Sequence, residues 1–222
     1  MSVIHLEEQK DKNLIAKAIE SMAMMDDESK IKLKESIKNH TFKSWKNQCM
    51  GKSGGVGFLT GLAGGPAGIA LEVADTGYLI AMAGRASYGV GHIHNKIIDY
   101  DNDIEGILAI WSGAGKAIDK TGLAINTLAP IAGKLVVKAN VKVGIKLGTK
   151  VATKLSSKIV AKASAKIAGK VASKLSTKWI PIIGGVVSAA INAWVLDGLI
   201  DAAEDYYTSE AVLINDDVLR ED

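Results

Sequence analysis

One cysteine, three prolines, two phenylalanines and no acidic side chain between residues 134 and 178 mark what this 222-residue sequence does without. Cys49 has no partner for an internal disulfide, which excludes a stapled secreted scaffold. Three prolines are too few for a loop-rich β-sandwich. Four Trp, five Tyr and two Phe leave the 48% of apolar residues mostly to Ala, Val, Ile and Leu, accompanied by 23 glycines. That balance favours helices packed closely through small residues, around one core or in one domain with an extension.

The opening Met1-Ser-Val-Ile-His-Leu-Glu-Glu carries charge where a secretory signal needs an apolar run, so a cytoplasmic protein is expected. The net charge of +3 conceals a sharp segregation. Residues 134 to 178 hold twelve lysines, giving +12 and leaving −9 for the rest. From Asp197 to Asp222 nine acids face Arg220 alone. The acidic end either shields the lysines or stands apart from them.

Leu14, Ile15, Ala18, Ile19, Met22 and Met25 recur at helical spacing, and Asp26-Asp27-Glu28 supplies a stop and a new N-cap. Ile31, Ile37, Phe42 and Trp45 follow, so residues 1–50 are expected to form a helical hairpin. From Ser53 to Leu71 no charge occurs, and Gly57, Gly61 and Gly65 stand four apart, as a helix-packing stripe of small residues would. Pro66 and the paired glycines predict two short helices meeting at a bend. Glu72, Asp75, Arg85 and Tyr88 are polar groups within apolar sequence. Asn102 with Glu105 forms a capping-box pattern for a helix from about Asp103 that buries Ile107, Leu108, Ile110 and Trp111.

The lysines form a ladder without a gap: Lys134, Lys138, Lys142, Lys146, Lys150, Lys154, Lys158, Lys162, Lys166, Lys170, Lys174 and Lys178. Each four-residue step overshoots a helical turn by about 40°, so one straight helix carries such a stripe right around its axis. A single helix would also run about 67 Å, against a radius of gyration near ~17 Å for a chain of this length. The ladder must therefore break, project or wrap, with Gly144, Gly148 and Gly169 as break points. A helical ladder is expected. A strand reading competes for its first part, where Leu135, Val137, Ala139, Val141, Val143, Ile145 and Leu147 alternate. Next, Trp179 to Leu196 runs eighteen residues without a charge, at the short end of the ~17–25 needed to span a bilayer. Gly184, Ser188 and Asn192 share one face of it. Tyr206 and Tyr207 stand where the acidic tail starts.

Several chemistries fail on spacing. For a P-loop, Ile110 and Lys46 stand where the first glycine belongs, ahead of Gly115-Lys116 and Gly51-Lys52-Ser53. Gly55 to Gly61 mimics a dinucleotide loop without a preceding strand. Asp99, Asp101, Asp103 and Glu105 mimic a calcium loop, but Ile104 and Ile110 occupy its Gly and Glu positions. His92 and His94 lack a third metal ligand and are expected on the surface. Cys49 is expected to be a small buried residue. No catalytic residue, metal site or cofactor is expected.

The stretch Gly57-Phe-Leu-Thr-Gly61-Leu-Ala-Gly-Gly65, then Ala74-Asp75, Arg85 and Tyr88-Gly89, resembles the first half of EcsC-family proteins. Ile180-Pro181-Ile-Ile-Gly184, Asn192 and Ala-Glu-Asp-Tyr206-Tyr207 resemble the second half. The resemblance covers roughly residues 51 to 208. It implies a bacterial, helical, membrane-associated protein and supplies no catalytic residue.

These readings combine into an all-α single domain: a hairpin at 1–50, an EcsC-like helical domain at 51–208 containing the ladder at 134–178, and an acidic tail at 209–222. Glu72, Asp75, Arg85, Tyr88 and Asn192 are expected to form a buried polar network, since unpaired buried charge is costly. The expected function is non-enzymatic binding of anionic lipid through the twelve ladder lysines. A pore-forming toxin or effector that inserts its glycine-rich and C-terminal apolar helices, with delivery into a target cell, is the alternative. Anionic lipids, or a membrane or secretion-machine protein, are the expected partners. Nucleic acid is disfavoured because neither Arg nor aromatics interleave the ladder.

Overall fold

Asp26 starts the first described helix, α1 (Asp27–Ile37), by accepting a hydrogen bond from the Ser29 N–H at 2.6 Å. Asp27 and Glu28 sit in its first turn, where the helix dipole favours negative charge. Thr41 and Ser44 then cap α2 (Phe42–Leu62) reciprocally: Thr41 Oγ1 accepts from the Ser44 N–H, and Ser44 Oγ from the Thr41 N–H. Serine thus does the work that Glu or Gln does in a capping box. The structure, a computed structural model, describes residues 25–62, 65–100, 102–119, 133–137, 157–177 and 181–215. The periodic apolar set from Leu14 to Met22 lies outside them.

Helix α2 runs unbroken through Gly51, Gly54 and Gly55, so the change in composition near residue 50 is not a structural boundary. Helix α3 (Gly65–Ile93) follows, with Pro66 in its first turn, where a missing N–H costs nothing. The expected pair of short helices is instead two long ones. Helix α3 closes in a Schellman motif: the Lys96 N–H donates to Gly91 O and the Asn95 N–H to His92 O, with Asn95 left-handed at φ 54°.

Helix α4 (Asp103–Ser112) buries Ile104, Ile107, Leu108 and Trp111, with Ile110 partly buried, and stops at Gly113, whose φ of 78° suits glycine. The expected capping box does not form. Asn102 makes no side-chain cap bond; its amide donates to Asp99 Oδ2. Asp103 Oδ2 reaches back to accept from the Asp99 N–H at 3.0 Å.

Three short strands follow: β1 (Gly115–Ile118), β2 (Gly133–Val137) and, after two further helices, β3 (Ala211–Asn215). They form an antiparallel sheet in the order β1-β3-β2, with Gly115 opposite Ile214 and Gly133 opposite Asn215. The other regular elements among the described residues are all helices. Part of the sequence-defined acidic tail is therefore the central strand, its Ala211 and Val212 buried. The ladder is not one helix either. Lys134 lies in β2, where the alternation of Leu135 and Val137 prevails because β3 offers backbone partners. Lys158, Lys162, Lys166, Lys170 and Lys174 lie on α5 (Ser157–Thr177). Gly169 does not break that helix. Lys138, Lys142, Lys146, Lys150, Lys154 and Lys178, with Gly144 and Gly148, lie outside the described residues.

Helix α6 (Pro181–Thr208) is the element around which the others gather, touching α2 most extensively and also α3, α4 and α5. It runs antiparallel to α2, and each presents a buried line in steps of four: Trp45, Cys49, Ser53 and Gly57 on α2, and Ser188, Asn192, Leu196 and Ile200 on α6. Side-chain volume falls along one line and rises along the other. At the narrow end a Cβ on Gly57 would stand 2.5 Å from Asn192 Nδ2 and 2.9 Å from the Ser188 carbonyl oxygen. At the wide end Lys46 bridges Asp197 (2.7 Å) and Asp201 (2.5 Å).

Gly57→Ala is therefore expected to destabilise the fold despite the better helix propensity of alanine. Overpacking costs ~1–3 kcal/mol and exceeds the ~0.8–1 kcal/mol that Ala gains over Gly in a helix. Gly54→Ala, where a Cβ meets nothing within 4 Å, is expected to stabilise by up to about 1 kcal/mol. Urea unfolding of the two variants checks both signs.

Candidate functional site

The α5 lysines with described side chains do not share one environment. Lys162 is exposed and Lys158 half-buried, while Ile159, Val160, Ala163 and Ile167 turn into the core. Two steps on from Lys158, the ladder has rotated inward. Lys166 Nζ donates to the Trp111 carbonyl oxygen at 2.5 Å and lies 4.3 Å from the Trp111 ring centroid and 5.6 Å from that of Trp194. Burial lowers its pKa. Lys166 is thus a packing residue whose ammonium is occupied, a correction to its expected place among lipid contacts. The reason is the 40° overshoot per step. Lys170 and Lys174 are on the helix, at positions whose side chains lie outside the described residues, as does the side chain of Lys134.

A second basic surface lies where α1 meets the segment after α3. The Schellman turn at Asn95 throws residues 96–100 back over α1, opening a groove of about 690 Å³. Lys34, Lys38, His40, His92 and Lys96 line it together with Ile37, Ile93, Ile98 and Tyr100, and among the described residues no carboxylate does. Ile97, on its rim, is 86% exposed. Ile31, 60% exposed, is one helical turn from Lys34 and on the same face of α1. His92 Nε2 is 2.9 Å from Tyr100 Oη, and His40 Nδ1 is 3.0 Å from Ser44 Oγ. Burial, then the Lys34 charge, holds the His92 imidazole below its ordinary value of 6.5. His92 and His94 are half-buried, not surface, residues; His94 Nε2 lies 3.9 Å from Glu204 Oε1. Sequence spacing alone missed this groove, because its cations come from α1 and from a loop sixty residues further on.

The expected polar network does not assemble as one unit. Arg85 is exposed, because its position on α3 faces away from the core. Tyr88 is fully buried and its hydroxyl donates to the Tyr100 carbonyl oxygen at 2.9 Å. Asn192 is buried elsewhere, its amide donating to Ser53 O at 3.4 Å. Of the helix-packing residues, Ser188 and Gly57 meet at the α2–α6 contact. Glu72, Asp75, Gly61, Gly65 and Gly184 fall on helices, at positions whose surroundings lie outside the described residues. Cys49 is buried, and desolvation pushes its thiol up to about 11. Among the described residues no group of three or more His, Cys, Asp or Glu is placed to hold a metal ion.

The buried polar centre lies instead on Asp103. Only 7% exposed, its carboxylate accepts from Tyr206 Oη at 2.7 Å, Tyr207 Oη at 2.9 Å and the Asp99 N–H. This ties α4 to the end of α6. Both tyrosines are buried residues in the last turn of α6, just ahead of the acidic tail. Tyr206 closes over Gly106 and Tyr207 over Gly91, leaving no room for a Cβ at either glycine. Burial raises the Asp103 pKa, and the two phenol bonds oppose it without prevailing.

A raised folded pKa means that, above the unfolded value of 3.8, the folded chain holds a proton the unfolded chain has released. The Asp103 contribution to stability therefore falls as pH rises from 3.8 through the folded value, and is constant above it. Urea unfolding of Asp103→Asn across this range should show the variant gaining on the native chain with rising pH; a gap moving the other way would mean that the hydrogen bonds outweigh burial. Asp103→Ala removes the acceptor of two buried hydroxyls and is expected to cost ~1–3 kcal/mol for each.

No protein-family model, curated protein or solved structure matches the chain.

Proposed function

We propose that this chain is a non-enzymatic, EcsC-like protein that docks on anionic membrane surfaces from the cytoplasmic side. The observation that carries this reading is the groove of Lys34, Lys38, Lys96, His40 and His92, lined by no carboxylate among the described residues, beside the protruding Ile97. An apolar tip ringed by cations suits the boundary between headgroups and acyl chains, where the tip is buried and the ammonium groups meet phosphate. Each lysine held near an anionic leaflet contributes up to ~1 kcal/mol, and the effect fades within a Debye length. The remaining lysines of residues 134–178, Lys166 apart, add to that attraction. The order of the short motifs that resemble those of EcsC-family proteins supports the same reading.

Helix α6 is long and apolar enough to cross a membrane between Val186 and Thr208, with 44% of that window buried within the fold. This supports membrane association in the coarse sense. It also sustains the pore-forming alternative, in which α6 leaves α2 and enters the bilayer. That route has to break the Lys46 bridges and the Asp103–tyrosine bonds. A docked protein keeps them.

Flotation with phosphatidylglycerol vesicles at low ionic strength is expected to carry the protein upward, and neutral vesicles are not. Replacing Lys34, Lys38 and Lys96 together by Gln should weaken partitioning by up to roughly 100-fold, from ~1 kcal/mol for each lysine. Ile97→Asp should weaken it further, and Lys166→Gln should not. A native chain that stays with the soluble fraction overturns the proposal. Release of a trapped dye from the same vesicles would favour insertion over docking.

A further inference from the structure

A second groove, of about 360 Å³, lies on the other side of α1, between one face of α2 and one face of α3. Trp45, Gln48, Cys49 and Lys52 line it from α2; Tyr78, Ala81, Met82, Arg85 and Ala86 line it from α3; Ser36 of α1 closes one end. Both sets recur at i, i+3 or i+4, and i+7, so each is a single helix stripe. The groove persists because the Trp45 indole spans the helix pair, with Nε1 donating to the Ala86 carbonyl oxygen at 3.0 Å and the ring pressed on Gly89. That span holds the helices apart where Ala81 and Ala86 leave space.

Its chemistry is divided. The floor is Trp45, Cys49, Met82 and Ala86, with Ala81 and Tyr78, both exposed, at the surface. Lys52 and Arg85 are exposed, and neither has an ion-pair partner among the described residues. Both charges act on the Cys49 thiol between them, drawing its pKa down against the burial that raises it. Among the described residues no Asp or Glu lines the groove. Apolar walls with a few convergent polar groups are the usual constitution of a small-molecule site. The volume stands at the low end of the ~300–1,000 Å³ range for such sites, room for one chain and not for two.

We infer that this groove binds a single-chain anionic amphiphile, its acyl chain lying on Trp45, Met82 and Ala81 and its anionic head held by Arg85 and Lys52. The thioether of Met82 adapts to chains of differing length. The guanidinium of Arg85 pairs two oxygens of a carboxylate or phosphate in its plane, and the Lys52 ammonium adds a point charge. Gln48 supplies hydrogen bonds to the head or to water around it, while the Ser36 hydroxyl already donates to the Leu33 carbonyl oxygen at 2.8 Å. The inference goes beyond membrane docking: it concerns a different face and different cations, and stands whether or not vesicles bind.

Cys49 is the only cysteine in the chain and lines the groove, so it reports occupancy. With the full-length protein at about pH 9, where more of this slow thiol ionises, decanoate and decyl phosphate below their micelle concentrations should each slow Cys49 alkylation. Decyl maltoside, which has the chain without the charge, and inorganic phosphate, which has the charge without the chain, should not. Lys52→Gln with Arg85→Gln should weaken decanoate protection about tenfold or more. Ala81→Trp should abolish it by filling the groove. Circular dichroism and the unfolding midpoint establish that each variant is folded, and should Ala81→Trp fail to fold, Ala81→Leu replaces it. Equal protection by decyl maltoside, or full decanoate protection in the double variant, overturns the inference. Ile97→Asp should lose vesicle binding yet keep decanoate protection, so failure of one proposal is read separately from failure of the other.

Discussion

The approach of α2 to α6 is the constraint on which the rest of the molecule is built. A helix as apolar as α6 has to be covered along most of its length, and α2, with its glycines, has little bulk with which to cover it. The solution is proximity. Where Gly57 meets Ser188 and Asn192 the backbones come close enough to leave no room for a methyl group. Towards the other end, the two helices are joined by the Lys46 bridges to Asp197 and Asp201. Burial draws the Lys46 ammonium down, but its two carboxylate bonds outweigh this and raise its pKa. This pairing also answers how charge is distributed: two of the acids on α6 are engaged by α2, not by the ladder.

The mainly helical character was legible because it rests on local signals. Asp26 caps α1, and the apolar spacing of Ile104, Ile107, Leu108 and Trp111 sets the inner face of α4. Four-residue spacing on Ser188 and Asn192 marked a helix face, and the same spacing marked Gly57. What local pattern could not reveal was pairing across distance. Lys134 and Val137 belong to a strand because β3 lies beside them, and nothing within residues 133–137 announces that partner. Tyr206 and Tyr207 stand where the acidic tail starts, and nothing around them in sequence names Asp103, on another helix, as the acceptor that their buried hydroxyls meet. Arg85 looked buried because apolar residues surround it in sequence, yet a helix has two sides.

Lys166 carries a related lesson about charge. A period of four reads as a continuous rail only when the sequence is laid flat. Wound on a helix it turns through every environment in turn, and the same residue type faces solvent at Lys162 and stacks on indole at Lys166. Charge counting thus overstates the cations that any one surface can present. The two grooves beside α1 are distinguished by the opposite property. Their few cations come from separate segments and converge with no carboxylate from the described residues among them.

The central place of β3 has a consequence for how the chain reaches this state. Its neighbours in the sheet are residues 115–118 and 133–137, and α6, just before it, packs on a helix that begins at Phe42. Helical proteins usually owe their speed to contacts between near neighbours in sequence, and these contacts are not near. On a translating ribosome, the face of α2 that carries Ser53 and Gly57 emerges some 140 residues before the helix that covers it, as the separation of 139 between Ser53 and Asn192 measures. Until then an apolar surface stands open to whatever lies nearby, a chaperone or a bilayer.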